Sequence, residues 1–432
     1  MLDTLPSDVV TLDPVSVDLR PAPPVNAPRR WSLGTRIAFR FTTLYFGLYN
    51  LGATGMMKGL ATWSATSLFK VSHPFVTVNT GSGDKTLDWI EAFWLLVFAA
   101  IGTAVWSALD RKRPNYEAVH KWFRVFLRFA LGSTMVSYGI VKVIPLQMPA
   151  PSLQRLVEPF GNFSPMGVLW YSIGASFPYE RFAGSMELLG AVLLFIPRLS
   201  LLGAIVTFAT AVQIFTLNMT YDVPVKLFSF HLVLMSLALI VPDARRLLRV
   251  IVLNKTAEPS PATPLFQRRA LVRVALFLQL AMGAYVLGSE YYGARQAWTR
   301  YGGGAAKSPL YGIWNVSVMK VDGVERAALI GDYGRWRRLL FSSPANMSFQ
   351  RMDDTFQGYG SKVDMTAKSL VLTSGDKESG KFTIQQVDAG RMILDGEMDG
   401  HKIYFDLRLY DRNNFLLVTR GFNWIQERPF NR

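Results

Sequence analysis

The chain has 432 residues, of which 50% are hydrophobic and only 18% are charged, a balance that predicts a membrane protein carrying a sizeable water-soluble part. Its net charge of +15 does not indicate nucleic-acid binding, because the basic residues crowd the ends of apolar segments and form no aromatic-interleaved groove. Cysteine is absent, which excludes thiolate catalysis, disulfide exchange and cysteine-ligated metal or iron–sulfur centres, so any redox role must use a bound cofactor or a partner.

The first segment, residues 1–30, is polar and proline-rich, and it predicts a disordered tail without the apolar core of a signal peptide. Two candidate membrane spans follow within residues 31–118. The first, at 37–54, is the weaker of the two because it contains Arg40. The second, at 87–109, is long and apolar and carries tryptophans near its ends, where they suit the membrane interface.

Residues 119–255 predict a membrane domain of four helices, since four apolar segments follow one another there. A helix that rises ~1.5 Å per residue needs roughly 20 residues to cross about 30 Å of hydrocarbon. The four predicted spans are residues 122–145, 182–197, 199–219 and 225–242. A linker and a seventh predicted span, near 270–291, occupy residues 256–300. The predicted fold class is therefore mainly α, with about seven transmembrane helices.

The distribution of basic residues sets the orientation of these spans. With the N-terminus inside and the spans alternating in direction, the inner connections hold most of the lysines and arginines that flank the spans. The outer connections hold few, chiefly Lys58, Lys70, Lys85, Arg155 and Lys226. This bias predicts a cytoplasmic N-terminus, and an odd number of spans then puts the C-terminal part outside the membrane. Without the first span, the orientation would reverse.

Residues 301–432 follow a different pattern, in which short runs alternate apolar and polar residues between turn signals such as Asp399-Gly400. This pattern predicts seven to nine antiparallel strands in a barrel or a sandwich outside the membrane. The Gly312-x-Trp314 segment is similar to the opening strand of lipocalin-like barrels. A calycin-type barrel is therefore one alternative, and another small antiparallel β fold is the other.

Ionisable and polar side chains are costly in hydrocarbon, so those within predicted spans tend to face the bundle interior and to mark sites. The candidates are Arg128, Tyr138, Lys142, Glu187, Asn218 and His231. Counted along the predicted helices, the last four lie in the outer half of the bilayer. Ser229 and His231 are two residues apart on one helix and are expected to point in roughly opposite directions, so that only one of them faces the bundle.

Two interpretations of this group remain open. In the functional one, Lys142 and Glu187 line a polar pocket open to the outer leaflet, which holds a quinone, a lipid or a small polar solute. In the structural one, they form a buried salt bridge that fixes helix register, with Lys142 reaching toward the interface. The scattered histidines favour a hydrogen-bonded core role for His231 over a metal site. No residue is identified as catalytic, and a quinone is the one cofactor that the pattern suggests.

The first two core spans carry glycines and charged residues at fixed spacings. The motifs are Leu127-Arg128-x-x-Leu131-Gly132 and Gly139-x-x-Lys142, followed by Gly184-x-x-Glu187-Leu188-x-Gly190-x-x-Leu193-Leu194. In these motifs the chain resembles the DoxX family of small four-helix membrane proteins, over residues 125–243. The resemblance implies a helical bundle in the bacterial cytoplasmic membrane. It also implies a redox context, because the related DoxD protein is a subunit of a thiosulfate:quinone oxidoreductase and some members associate with oxidative-stress enzymes, although most have no established activity.

The chain departs from that family pattern by its two preceding spans, its long connection at 146–180 and its seventh span with a β-domain. The first hypothesis is a DoxX-like inner-membrane protein that supports a redox or quinone-linked process through the polar pocket, at most as a membrane subunit of an oxidoreductase. The second is a non-enzymatic scaffold whose exported β-domain binds a ligand or an envelope-protein partner. A small-solute transporter is a third, and it is disfavoured because no inverted repeat with broken helices is visible.

Overall fold

The computed structural model describes residues 30–52, 57–258 and 264–431. The predicted disordered tail, residues 1–30, lies outside the described residues except for Arg30. The described chain forms a helical region that is followed by a β-barrel. The helices are α1 (Leu33–Asn50), α2 (Lys58–Ser67), α3 (Thr86–Leu109), α4 (Glu117–Val143), α5 (Leu153–Val157), α6 (Pro165–Gly174), α7 (Phe177–Phe195), α8 (Ser200–Thr220), α9 (Lys226–Ile240), α10 (Ala244–Leu247), α11 (Arg269–Arg300) and, after the barrel, α12 (Leu416–Thr419).

Four helical stretches of the described chain are long and apolar enough to cross a membrane. They are Thr86–Leu109, Ser200–Thr220, Lys226–Val252 and Arg269–Arg300. They coincide with four of the predicted spans and indicate a multi-pass membrane protein in contact with a lipid bilayer. The other three predicted spans form α1, α4 and α7. These helices are less apolar because they bury charged side chains, among them Arg40, Lys142 and Glu187.

Several helix ends follow from local sequence. Ser32 caps α1 by accepting a hydrogen bond from the Thr35 amide at 3.1 Å, and Ser164 caps α6 in the same way just before Pro165. Helix α4 ends at Val143, two residues before a proline that cannot continue the helical hydrogen bonds. Helix α1 therefore begins, and helix α4 ends, where the sequence supplies a capping or a breaking residue.

Helices α4 and α7 pack against each other in opposite directions. Gly139 contacts Gly184 near one end of the pair, and Phe129 stacks on Phe195 at 5.0 Å near the other end. Helix α8 is antiparallel to α7. Gly203 of α8 contacts Leu194 of α7, whereas Gly190, earlier in α7, contacts Thr207, later in α8. Small residues let these backbones approach closely, as is typical of helices packed in membranes.

Arg40 explains how the charged first span fits the bundle. Its guanidinium donates to the Asp110 carbonyl oxygen at 2.9 Å, to the Ser107 hydroxyl at 2.8 Å and to the Tyr116 hydroxyl at 2.6 Å. Asp110 and Ser107 lie at the carboxyl end of α3, where the helix dipole favours a cation, and Tyr116 immediately precedes α4. Arg40 is 1% exposed and thus holds α1 against α3.

The C-terminal part is an eight-stranded antiparallel barrel. Its strands are β1 (Gly312–Val321), β3 (Trp336–Phe341), β4 (Asn346–Arg351), β5 (Phe356–Asp364), β6 (Ser369–Ser374), β7 (Lys377–Asp388), β8 (Arg391–Met398) and β9 (His401–Tyr410), with the two-residue β2 (Val324–Glu325) extending β1. Each strand pairs with its neighbour in sequence, and β1 pairs with β9 to close the barrel. The prediction of antiparallel strands is confirmed, and the choice between barrel and sandwich is resolved as a barrel.

Turn chemistry sets the register of the hairpins. Asp399 and Gly400 join β8 to β9 with φ of 50° and 84°, and Asp322 and Gly323 join β1 to β2 with φ of 51° and 83°. Two successive positive φ values belong to type I′ turns, whose twist matches that of the flanking strands. Aspartate and glycine are among the residues that adopt this conformation at least cost.

Aromatic rings pack inside the barrel. Trp336 stacks on Phe349 with ring centroids 3.8 Å apart, and on Phe405 at 5.2 Å. Trp314, of the predicted Gly-x-Trp segment, is buried and donates its indole N–H to the Leu310 carbonyl oxygen at 2.9 Å. Side chains therefore fill the interior at this level, as small eight-stranded barrels allow.

The connection between α4 and α7 contacts the outer wall of the barrel. Leu153 of α5 is buried in one cluster with Ile313 and Leu340. The Gln350 side-chain amide donates to the Val157 carbonyl oxygen at 3.2 Å. The long connection and the barrel therefore lie at the same end of the helical region.

Candidate functional site

Two glycines create the closest approach of α4 to α7. A Cβ atom on Gly184 would lie 2.6 Å from the Gly139 carbonyl oxygen, and a Cβ atom on Gly139 would lie 2.9 Å from the Gly184 carbonyl oxygen. Neither position has room for a side chain, so the backbones touch where the sequence has glycine. The residue three positions after each glycine is charged, and it shares the buried face of its helix.

Those charged residues are Lys142 and Glu187, which form a buried ion pair. The Lys142 Nζ lies 2.7 Å from Glu187 Oε1 and 2.9 Å from Oε2, and the two side chains are 7% and 3% exposed. Helical side chains lean toward the N-terminus of their own helix. Because α4 and α7 run in opposite directions, the two side chains lean toward each other from opposite sides of the glycine contact.

Tyr138 completes what we name the Lys142 cluster, which consists of Tyr138, Lys142 and Glu187. The Lys142 Nζ lies 3.5 Å from the Tyr138 carbonyl oxygen and 5.7 Å from the centre of its ring. The Tyr138 ring packs against Phe228 of α9, with centroids 5.7 Å apart. The cluster therefore joins α4 and α7 and borders α9.

The expectation that only one of Ser229 and His231 faces the bundle is wrong. Both are buried, at 1% and 2% exposure, because α9 has helices on two sides. On one side the Asn218 amide of α8 donates to the Ser229 hydroxyl at 3.0 Å. On the other side, Tyr45 of α1 shares a 2.6 Å hydrogen bond with His231 Nε2, and the Tyr49 ring stacks on the imidazole at 4.2 Å.

His231 has hydrogen bonds at both ring nitrogens. Its Nδ1 lies 2.7 Å from the Leu227 carbonyl oxygen, which makes Nδ1 the donor and leaves Nε2 to accept from the Tyr45 hydroxyl. This arrangement fixes one neutral tautomer of the imidazole. It also makes α1, the weakest of the predicted spans, part of the polar interior of the bundle.

Arg128 lies apart from the other predicted residues. Its Nε donates to the Leu194 carbonyl oxygen at 2.7 Å, in the last turn of α7. Fourteen residues separate Arg128 from Lys142, which corresponds to ~21 Å along the helix. The structure thus brings Tyr138, Lys142 and Glu187 together, forms separate contacts at Asn218 and His231, and leaves Arg128 near the middle of α4, away from the ion pair.

A second buried carboxylate, Glu180, lies in the first turn of α7 and was not predicted from the sequence. It is 0% exposed, and its Oε1 accepts a hydrogen bond from the Met148 amide at 3.1 Å. Its Oε2 has no hydrogen-bond partner among the described residues, and the same holds for the nearby Gln147 Oε1. The sequence offered one signal: Glu180 precedes Glu187 by seven residues and so shares its helix face.

An open groove of about 540 Å³ lies between α1, α4 and α11. Its walls are mainly apolar or small side chains: Asn50, Val125, Phe126, Phe129, Ala130, Ser133, Thr134 and Met282. None of the six predicted site residues lines it. Its Thr134 end lies one helical turn from Tyr138, and Asn50 follows Tyr49 in sequence. The lining residue of α4 that lies nearest to Lys142 is Thr134, eight residues earlier, so the groove and the ion pair are about 12 Å apart along the helix and lie on different faces of it.

These features define a class: a multi-pass helical membrane protein with a buried polar cluster and a C-terminal antiparallel β-barrel. Comparison of the chain with protein-family models, with curated proteins and with solved structures finds no match.

Proposed function

We propose that α1, α4 and α7 also cross the bilayer, so that seven spans place the N-terminus in the cytoplasm and the barrel outside the cytoplasmic membrane of a bacterium. Helix directions support this. Helices α1 and α3 are antiparallel, since the Arg36 guanidinium donates to the Arg113 carbonyl oxygen at one end while Leu44 contacts Gly102 further along. Helix α11 runs parallel to α4, because Trp122 packs on Phe266 and Ser137 hydrogen-bonds Glu290.

We further propose that the helical region is a DoxX-like bundle whose Lys142 cluster binds the polar head of a quinone. The observation that carries the proposal is the ion pair of Lys142 and Glu187, which is buried in a helical region that contains candidate membrane spans. An ammonium can donate a hydrogen bond to a quinone carbonyl oxygen, and a carboxylate can accept one from a quinol hydroxyl. The apolar groove between α1, α4 and α11 suits an isoprenoid tail.

In this proposal the protein is a membrane subunit that supports a quinone-linked redox process. A quinone takes up two electrons and two protons when it becomes a quinol. A redox-enzyme partner supplies the electrons, and buried ionisable groups are suited to carrying protons within a membrane. Glu180 lies two helical turns before Glu187 and has a free carboxyl oxygen, so it is the candidate next group along a proton route.

The test is the quinone content of the purified protein. Wild type, Glu187→Gln and Asp406→Asn are extracted gently in detergent and analysed by mass spectrometry of the bound lipids. The proposal expects quinone with wild type and with the barrel variant Asp406→Asn, and its loss from Glu187→Gln. Equal quinone content in all three folded proteins would refute it.

A scaffold function is the second candidate, and the packed interior of the barrel favours it. Rings such as Trp336 and Phe405 fill the space that a cup-shaped ligand domain would leave open. A partner would then bind the outer surface of the barrel, and the ion pair would serve only to fix the helices. In that case deletion of residues 305–432 abolishes partner capture, whereas Glu187→Gln changes stability alone.

A further inference from the structure

The chain does not end with the barrel. After β9, residues 411–431 continue through α12 into a segment with little contact to the rest of the molecule. Its largest side chains are exposed, with Phe422 at 76%, Trp424 at 90% and Ile425 at 82%. Exposed apolar side chains of this size, close together in one segment, mark an interaction surface.

The composition of this C-terminal segment matches a membrane interface. Arginines at 412, 420 and 428 lie among its aromatic and aliphatic residues. Its acidic residues are fewer, namely Asp411 and Glu427. Tryptophan and phenylalanine beside arginine are typical of segments that lie in the headgroup region, where rings enter the interface and cations meet lipid phosphates. The Arg420 guanidinium lies 4.7 Å from the centre of the Phe430 ring, which keeps a cation and an apolar ring together.

The position of the C-terminal segment brings it near the bilayer. The rings of Tyr410 and Phe415 contact each other with centroids 5.3 Å apart and pack in the same cluster as Leu153 and Ile313. That cluster is where the barrel wall contacts the connection between α4 and α7. The segment therefore leaves the barrel on the wall that faces the helical region. Strand β1 begins only twelve residues after α11 ends at Arg300, which keeps this part of the barrel close to the end of a candidate span.

We propose that residues 416–430 bind the surface of an anionic phospholipid bilayer and hold the barrel against the membrane. The aromatic and aliphatic side chains enter the headgroup region, and the arginines pair with lipid phosphates. The occupant is the lipid surface next to the barrel and not another protein. This inference depends on the membrane helices and is independent of quinone binding.

The absence of cysteine allows a clean test on the full chain. A spin label is attached to Ile425→Cys, and the control label is attached to Ile330→Cys, a similarly exposed position in the loop between β2 and β3. Both proteins are reconstituted singly into nanodiscs of phosphatidylglycerol mixed with phosphatidylcholine. Electron paramagnetic resonance then compares collisions of each label with oxygen, which concentrates in lipid, and with a nickel chelate, which stays in water.

The proposal expects the label at 425 to favour oxygen over the nickel chelate and the label at 330 to show the reverse order. Arg420→Glu combined with Arg428→Glu should move the label at 425 back into water without changing the label at 330. Equal exposure of both labels to the nickel chelate would overturn the proposal. So would a label at 425 that is shielded from both reagents, because that result places the segment against protein.

Discussion

The helical region and the barrel arrange the same kinds of side chain in opposite ways. In the helical region Lys142 and Glu187 are buried, while Phe277 of α11 is 69% exposed. In the barrel, Phe405 is 1% exposed, and the ion pair of Arg391 and Asp406 is partly exposed through the arginine, whose side chain is 37% exposed. The side chains on the outside of each region are those that its surroundings solvate. Apolar side chains face hydrocarbon around the helices, and charged side chains face water around the barrel.

The difference shows that the contribution of an ion pair to the free energy of unfolding depends on its surroundings. A partly exposed pair gains little, because water solvates the separated charges nearly as well. Breaking a buried pair costs much more stability, because removal of one partner leaves an unpaired charge where nothing else can solvate it. The two pairs, Lys142–Glu187 and Arg391–Asp406, can therefore be compared by the stability that the protein loses when each is broken.

The largest effect is expected for Lys142→Met. It leaves the Glu187 carboxylate buried without its partner, and we expect a loss of about 3–5 kcal/mol in the free energy of unfolding. The double variant Lys142→Met/Glu187→Leu should recover most of that loss, because two apolar side chains can pack in place of the pair. Unfolding in detergent by denaturant measures all three proteins. A double variant as unstable as the single one would show that the two residues do not act as a pair.

A smaller effect is expected where α4 and α7 touch. Gly184→Ala places a methyl group 2.6 Å from the Gly139 carbonyl oxygen, so the helices must separate at a cost of about 1–3 kcal/mol. The matched control is Gly288→Ala in α11, where nothing lies within 4 Å of the added atom. Alanine is the better helix former, so the control should be neutral or more stable by up to about 1 kcal/mol. Equal melting temperatures of the two variants would contradict the close contact.

The smallest effect is expected for the partly exposed pair of Arg391 and Asp406 in the barrel. Asp406→Asn should cost only about 1 kcal/mol, since the Arg391 side chain is 37% exposed. Hydrogen exchange of the β8 and β9 amides in the full chain measures it. A loss as large as that of Lys142→Met would erase the contrast between the two regions.

The same pair gives the barrel a dependence on pH. The hydrogen bonds from Arg391 lower the pKa of Asp406 below its usual value. A carboxyl whose folded pKa is lowered stabilises the fold fully above its unfolded pKa of ~3.9, and this contribution is lost as pH falls through the folded value. The stability difference between wild type and Asp406→Asn should therefore be constant near neutral pH and shrink below about pH 4. A difference that grows on acidification would contradict this assignment.

Sequence reasoning succeeded where the signal is local. Apolar length predicted spans at 87–109 and near 270–291, which the structure shows as the helices Thr86–Leu109 and Arg269–Arg300, and alternation with Asp-Gly turns predicted the strands of the barrel. Gly184, of the motif around Glu187, packs in the structure against Gly139 of the preceding motif. Each of these features depends on a few neighbouring residues and on the solvent that surrounds them.

The wrong and missing predictions concern residues whose burial depends on a distant element of the chain. Ser229 and His231 are both buried because α1, nearly two hundred residues earlier, supplies Tyr45 and Tyr49 on the second side of α9. Glu180 was missed because its burial depends on the fold of the connection that carries Met148. Periodicity shows which face of a helix is polar, but it does not show which helix covers that face.

The most direct test of the account is the stabilisation of the protein by a short-chain quinone. Wild type is compared with Lys142→Met/Glu187→Leu, which is expected to fold but lacks the charged groups of the cluster. A ligand at one hundred times its dissociation constant stabilises the folded state by about 2.7 kcal/mol. We predict that quinone raises the melting temperature of wild type and leaves that of the double variant unchanged. Equal shifts in both proteins, or no shift in wild type, would contradict a quinone site at the Lys142 cluster.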